Sequence, residues 1–166
     1  MSLVSLIGVG AGGTTKTVLT LDGASITMTD AGVAGSHGSL KLFDFPSGSI
    51  VFLGATCDLT ITAGAGGITD TAAAVGAIGT ATVGTGDATL TGTEADLIPS
   101  TASPLTAGAG VTKGKSVTAG IAVLDGTATA VDAWLNFAVP DAGSTANDTL
   151  TVSGTITLVW ANLGDN

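Results

Sequence analysis

Apolar and polar residues alternate along much of the chain, most regularly near its carboxyl end. In the stretch DTLTVSGTITLVW, residues 148–160, Thr and Ser fill most positions between the apolar ones. A period of two matches a pleated strand that buries one face, and it does not produce a helical stripe. Gly154, within this stretch, predicts a bulge or a close approach by another backbone. The apolar face comprises Leu150, Val152, Ile156, Leu158 and Trp160.

Two Asp-Gly dipeptides predict hairpins, because Gly readily takes the positive φ that two-residue turns need. Asp22-Gly23 divides residues 17–29 into two short predicted strands, and Asp125-Gly126 separates GIAVL from TATAVDAWLNFAV. This last strand ends at Pro140-Asp141, because Pro cannot donate to a ladder. Its predicted core face comprises Val131, Ala133, Leu135, Phe137 and Val139, and its opposite face Asp132, Trp134 and Asn136.

The central segment, residues 39–62, is interpreted as a strand, a turn at Pro46-Ser47-Gly48 and two further strands. Leu59 and Ile61 lie on one side of the last of these. Three aromatic residues in this segment supply most of the aromatic mass of the chain, so we expect them to anchor the core. They are Phe43, Phe45 and Phe52.

Two stretches rich in small residues interrupt the strand pattern. In residues 63–92, a short helix capped by Asp70 and a long loop or β-arm are both consistent with the sequence. Residues 98–116, stiffened by Pro99 and Pro104, are expected to form a second long loop. Because small side chains let backbones approach closely, we expect such loops to pack against neighbouring subunits and the protein to form oligomers.

The chain is predicted to be all-β, with residues 1–16 as a flexible amino-terminal arm and residues 17–166 as a single β-sandwich domain. A chain of 166 residues is long enough to bury one core. No positive charge precedes the apolar start of the sequence, which argues against a signal peptide. No uninterrupted apolar run is long enough to cross a membrane.

Charge restricts the partners. The net charge is −9, only 10% of the residues are charged, and all four basic residues are lysines. An acidic chain without arginine is repelled by phosphate, so we expect no binding to nucleic acid and none to a membrane.

The chain offers few groups for catalysis, with one His, one Cys, one Glu and no Tyr. His37, beside Ser36 in AGSHGS, is interpreted as an exposed loop histidine, and Cys57 as a small buried apolar residue. The stretch GVGAGGTTKT, residues 8–17, lacks the Gly-Lys-Ser/Thr order of a phosphate loop. We therefore predict no enzyme activity, no catalytic residues and no cofactor.

Two polar features have other interpretations. Asp141, Asn147 and Asp148 share one loop and offer oxygens to a structural Ca²⁺, but the spacing does not fit an EF-hand, and turn chemistry is the commoner cause. No metal site is therefore predicted. The Thr and Ser row of residues 149–157 suits a solvated strand face. An ice-binding face would need several matched rows, and a glycan-binding face would need an exposed aromatic residue, for which Trp134 is the candidate.

Three segments together resemble the small virion structural proteins of tailed bacteriophages, especially marine and cyanobacterial ones, that decorate or cement the capsid. They are LFDFPSGSIVFLGATCDLTIT, then LTGTEADLIPST, then LDGTATAVDAWLNFAVPDAGSTANDTLTVSGTITLVWANLGD. The similarity runs from about residue 39 to the end. It depends on the order and the general composition of these segments more than on any single motif. It implies an antiparallel, jelly-roll-like β-sandwich with long Gly/Ala/Thr-rich loops, assembled as a homotrimer.

The resemblance also implies a function. The protein would lie on the capsid surface of a virion, bind the major capsid protein and cement neighbouring copies of it. The alternative is a phage head-fibre, tail or cell-surface β module that binds host glycans.

Overall fold

The computed structural model describes residues 2–9, 13–64, 66–69, 73–84, 89–105, 109–115 and 122–164. Every strand pairing among them is antiparallel, and the predicted all-β antiparallel fold is confirmed. Short 3-10 helices lie at Gly32–Ala34, Gly92–Glu94 and Asp141–Gly143. The strands are β1 (Ser2–Val9), β2 (Thr15–Asp30), β3 (Ser36–Asp44), β4 (Gly48–Ala63), β5 (Val75–Gly79), β6 (Ile98–Ala102), β7 (Ala109–Lys115), β8 (Ala122–Gly126), β9 (Asp132–Val139) and β10 (Asp148–Asn162).

The strands form one curled sheet in the order β6-β5-β9-β3-β2-β10-β4-β7, with β1 also paired to β2 and β8 to β4. We call β1, β2, β10, β4, β7 and β8 layer A, and β3, β9, β5 and β6 layer B. The layers are joined where Thr29 and Asp30, at the end of β2, pair with β3. At the other side β6 and β7 approach each other, and the Ser103 and Thr112 hydroxyls are hydrogen-bonded between them.

The core lies between the two layers, where the inward positions of both form one buried cluster. The Phe45 ring packs 5.2 Å from Phe43 and 5.5 Å from Trp160, edge to face in both cases. The indole N–H of Trp160 donates to Thr17 Oγ1 at 3.0 Å, which satisfies its one polar group. The predicted core face of β10 is confirmed, as are Phe45 and Phe52, whereas Phe43 is only partly buried.

The predicted hairpin at Asp22-Gly23 is wrong, because β2 runs unbroken through it. The register between β2 and β10 shifts by one residue beside Gly154, so that Asp22 and Gly23 lie opposite the single residue Ser153. Gly23 has φ of 62°, and its N–H donates to Ser153 Oγ at 3.0 Å. A Gly with positive φ occurs in β-bulges as well as in hairpin turns, so the Asp22-Gly23 dipeptide is compatible with both structures.

Gly154 has the predicted close backbone approach, and the approaching strand is β4 of the same chain. Its φ is 138°, and a Cβ placed on it would lie 2.2 Å from the carbonyl oxygen of Asp58. Only Gly fits this position without a shift of the backbone.

The predicted hairpin at Asp125-Gly126 is also wrong. Strand β8 pairs with β4 in layer A, whereas β9 pairs with β3 and β5 in layer B. The connection between them therefore crosses from one layer to the other. Asp125 Oδ1 accepts hydrogen bonds from the Thr127 N–H at 3.1 Å and from its hydroxyl at 2.6 Å, which forms the tight turn at this crossing.

Three further predictions are corrected. The two strands expected after the turn at Pro46-Ser47-Gly48 are the single strand β4. The part of the expected flexible arm that the structure describes includes β1, hydrogen-bonded along β2. The two expected long loops contain β5, β6 and β7. Asp70, the expected helix cap, lies outside the described residues, and residues 75–78 of the proposed helix belong to strand β5, in agreement with the β-arm alternative.

Candidate functional site

Layer A carries an ordered array of hydroxyl groups on its outer face. Thr151 of β10 lies between Ser25 of β2 and Thr62 of β4, and Ser153 lies beside Thr60 of β4. Neighbouring hydroxyls are therefore spaced about 4.8 Å across strands and about 6.7 Å along a strand. We call this array the hydroxyl field. It comprises Thr20, Ser25, Thr27, Thr56, Thr60, Thr62, Thr149, Thr151, Ser153, Thr155 and Thr157.

Sequence reasoning found one hydroxyl row of this field and missed the other two. The signal was present in TLDGASITMT and CDLTIT, where Thr and Ser alternate with apolar residues as they do in β10. Treating residues 17–29 as a hairpin concealed the match, because a turn at Gly23 would have separated Thr20 from Ser25. The continuous β2 aligns them instead.

The same outer face becomes apolar at its other end. Val51 of β4 pairs with Val123 of β8 on one side and with Ala161 of β10 on the other. Val123 is 65% exposed, Leu163 57% and Leu53 44%. We call this surface the apolar patch, and it comprises Val51, Leu53, Val123, Val159, Ala161 and Leu163. Exposed apolar side chains that are contiguous mark a binding surface more often than scattered ones.

A shallow cavity of about 460 Å³ lies between the apolar patch and the hydroxyl field. Leu53 and Val159 line its apolar side, and Thr56, Thr157 and Lys115 line its polar side. The two surfaces therefore form one continuous face, apolar at one end and hydroxyl-bearing at the other.

Layer B, in contrast, has a covered outer face. Residues 80–84 and 89–97, which we call the covering segment, pack over β9 and β5. Val83 and Leu90 of this segment form a second apolar cluster with Ala77 and Ala138 of the strands.

Asn136 fixes the covering segment to β9. Its side chain is fully buried, and its Nδ2 donates to the carbonyl oxygens of Ala81 at 2.9 Å and Glu94 at 2.8 Å. Its Oδ1 accepts a hydrogen bond from Ser39 Oγ at 2.7 Å, and Ser39 Oγ in turn accepts one from the Val83 N–H at 3.0 Å. A buried amide with all of these partners holds a segment in one position.

Two carboxylates support the same segment. Asp96 accepts hydrogen bonds from the N–H of Thr80 at 2.8 Å and from its hydroxyl at 2.7 Å. Glu94 accepts from the N–H groups of Gly84 and Thr91, and the latter contact is part of a capping box. These acidic groups have structural partners within the fold.

His37 is not the exposed loop histidine that the sequence suggested. It lies on β3, opposite Ala138 of β9, and is 8% exposed. Its Nδ1 has no hydrogen-bond partner among the described residues. Ser36 points away from it into the core and is hydrogen-bonded to the hydroxyl of Ser144, so no Ser/His pair forms.

Trp134 lies on the outer face of β9, half-buried, beside a charged cluster. The Nζ of Lys41 lies 6.0 Å from the ring centroid and 3.0 Å from Asp132 Oδ2. Its hydrogen bond to Asp44, helped by the one to Asp132, raises the pKa of Lys41, and the same contact with Lys41 lowers the pKa of Asp44. A cavity of about 420 Å³ adjoins Asp132, and its polar lining includes Thr80, Thr93, Asp96 and Asp125.

The loop considered for a cation uses its oxygens for backbone hydrogen bonds. Asn147 Oδ1 accepts from the Asp30 N–H at 2.7 Å, and Asp148 accepts from the N–H groups of Ile68 at 3.0 Å and Thr149 at 2.7 Å. Burial opposes ionisation of Asp148, but hydrogen bonds from these amides and their neighbours outweigh it and lower the pKa of its carboxyl. Asp141 lies apart, in a 3-10 helix.

The remaining candidate chemistry is limited. Burial raises the pKa of the Cys57 thiol, which agrees with its interpretation as a small apolar residue. Within the described ranges, no three His, Cys, Asp or Glu side chains form a group suited to a metal ion. Nor does that part of the chain contain a helix with the length and apolarity needed to span a membrane.

Comparisons with known proteins give little further information. No protein family model matches the chain, and no curated protein matches it. Among solved structures, the chain is similar to one described as "CBM4 structure and function", with a TM-score of 0.42 and 14% identity over 94% of this chain and 90% of that one. A likeness this distant assigns neither a family nor a ligand.

Proposed function

We propose that this protein is a structural, non-enzymatic virion protein that binds the outside of a tailed-phage capsid as a homotrimer and cements neighbouring major capsid proteins. The resemblance of residues 39–166 to capsid decoration proteins motivates the proposal. The observation that carries it is the apolar patch, in which Val123, Leu163 and Leu53 are exposed on the outer face of layer A.

The patch suits protein contact for a physical reason. Val123, Leu163 and Leu53 are each at least 44% exposed, and burying such side chains against a partner contributes about 25 cal/mol per Å² of apolar area. A ligand that binds only the assembled shell stabilises that shell by mass action, which is how a cement protein would act.

Capsid binding tests the proposal. Purified protein is added to capsids, stripped of decoration protein, from the phage that encodes the chain. We expect saturable binding and a higher melting temperature of the capsid in calorimetry. Leu53→Asp combined with Val123→Asp places charges in the patch, and we expect it to weaken binding at least about tenfold.

Thr27→Asp combined with Thr60→Asp is the matched control. It adds the same charge to the same face of layer A, within the hydroxyl field. If both double variants lose binding equally, net charge and not the patch governs the contact. If the unmodified protein leaves the capsid melting temperature unchanged, the proposed function is wrong.

Glycan binding is the second candidate, favoured by the surroundings of Trp134. Trp134 is half-buried beneath Lys41, which is paired with Asp132, and Asp132 also lines a cavity with Asp96 and Asp125. An aromatic ring and carboxylate acceptors are the two kinds of group that sugars use. Glycan-array signal that is lost in Trp134→Ala and kept in Trp134→Phe would support this function. Absence of signal for the unmodified protein would eliminate it.

A further inference from the structure

The edges of the sheet differ in how they are protected against pairing with another chain. An edge strand exposes unpaired N–H and C=O groups, and proteins block such edges with Lys or other charges, with Pro, with short strands, or by covering them. Among the described residues, four strands lie at edges of the sheet: β1, β6, β7 and β8.

Three of these edges carry a blocking feature. Strand β6 contains Pro99, and its end faces β7 across the hydrogen bond between Ser103 and Thr112. Strand β7 carries the exposed Lys113 and Lys115, the first of which is paired with Asp58 at 3.0 Å. Strand β8 is only five residues long and ends at Asp125-Gly126.

Strand β1 carries none of them. Its eight residues, SLVSLIGV, include no charged residue and no Pro, and the first charged side chain in the sequence is that of Lys16. It pairs along its full length with β2, and no other strand among the described residues pairs with its second edge. This edge is the longest unblocked one in the described sheet.

We infer that β1 pairs edge to edge with β1 of a second copy of this chain, antiparallel across a two-fold axis. Such a contact joins the layer A sheets of two copies into one continuous sheet. It is closed, because each copy covers the open edge of the other, whereas pairing with a non-identical edge would leave one edge open for further growth.

Charge favours a second copy as the occupant. The chain has a net charge of −9, yet its first acidic residue is Asp22. Strand β1 and most of the β2 segment that pairs with it are therefore free of negative charge, and two acidic copies repel each other least where these strands meet. The inference does not depend on capsid binding, and it adds a two-fold contact to whatever contact forms the proposed trimer.

Sedimentation equilibrium of the full chain tests the contact. Ser5→Lys places a blocking charge in the middle of β1, and we expect it to reduce the particle mass to half that of the unmodified protein, with the same melting temperature by circular dichroism. Thr151→Lys is the control, because it adds the same charge to an exposed position of β10 that is paired with β2 on one side and with β4 on the other. It should keep the full mass.

Cysteine cross-linking gives a second readout that does not require a variant with a disruptive charge. In a Cys57→Ser background, single cysteines replace residues 2–9 in turn and are oxidised with oxidised glutathione. An antiparallel two-fold contact brings a residue close to its own copy only at the axis, within the roughly 4.4–6.8 Å between Cα atoms that a disulfide spans. We therefore expect one maximum in yield, at one position or two adjacent ones.

Three outcomes would overturn the inference: equal mass for Ser5→Lys and the unmodified protein, uniform cross-linking along β1, or no cross-linking at all. The proposed function fails separately. If the protein forms the two-fold contact but leaves capsids unaffected, this inference stands and the proposed capsid role is wrong. If the protein is a trimer that binds capsids but does not form the two-fold contact, the capsid role stands and this inference is wrong.

Discussion

The outer faces of the two layers have the same alternating sequence pattern, but the face of layer A is open to solvent and that of layer B is covered. On layer A, Thr155 and its neighbours on β10 point to solvent and form the hydroxyl field. On layer B, the outward positions of β9 include Asn136 and Ala138, which are fully buried under the covering segment. Alternation therefore identifies which residues share a face, but a second layer of chain decides whether the polar face is solvated.

The polar residues on the two faces consequently differ in energetic role. A hydroxyl on the open face exchanges its hydrogen bonds with water at little cost, whereas a buried amide that loses its partners leaves them unsatisfied. Three substitutions measure this difference, each matched to a residue in the other environment or in the same loop.

The largest effect is expected for Asn136→Ala. It leaves the carbonyl oxygens of Ala81 and Glu94 without their donor, and we expect a loss of about 2–4 kcal/mol in the free energy of unfolding. Thr155→Ala on layer A should change it by less than about 0.5 kcal/mol. Urea unfolding measures both, and equal losses would show that the covering segment is not fixed by Asn136.

A smaller effect is expected for Ser39→Ala, compared with Ser153→Ala. Both hydroxyls accept a hydrogen bond from a backbone N–H at 3.0 Å, that of Val83 for Ser39 and that of Gly23 for Ser153. Ser39 also donates to Asn136, in a partly buried site that water does not readily enter. We expect losses of about 1 kcal/mol for Ser39→Ala and a few tenths for Ser153→Ala.

Amide hydrogen exchange locates these losses. Exchange of the Val83 N–H should accelerate in Ser39→Ala while that of Gly23 stays unchanged, and the reverse should hold for Ser153→Ala. Acceleration throughout the chain in either variant would contradict a local role.

The smallest effect is expected for Asp148→Asn, and it depends on pH. The folded state lowers the pKa of Asp148 below 3.8, the usual pKa of an Asp side chain. The carboxylate therefore stabilises the fold at pH values above 3.8, and this stabilisation is lost as the pH falls from 3.8 through the lower pKa of the folded state. At pH 7 the variant should be less stable by under about 1 kcal/mol, since the group is only partly buried. The difference should shrink in acid.

Asp141→Asn is the control for this loop, because Asp141 is an exposed carboxyl without these amide partners. Thermal melting of the three proteins between neutral and acidic pH measures the difference. A constant difference between Asp148→Asn and the unmodified protein would contradict the assigned cause.

Residue pattern predicted the all-β fold, the inward face of β10 and the constraint on Gly154, because each depends on local alternation or on one backbone conformation. It failed where one local signal serves two structures. Gly23 with positive φ makes a bulge, and Gly126 ends a strand at a crossing between layers. His37 and the covering segment were missed because each packs against β9, which is distant along the chain, and local pattern carries no information about such contacts.

Within layer A, β2 from the first part of the sequence pairs with β10 from its last part. During synthesis β10 must therefore leave the ribosome before this pair can form, and β4 must wait for the same partner. Native contacts this distant along the chain slow folding. The sheet of the nascent protein is therefore incomplete until β10 has been synthesised.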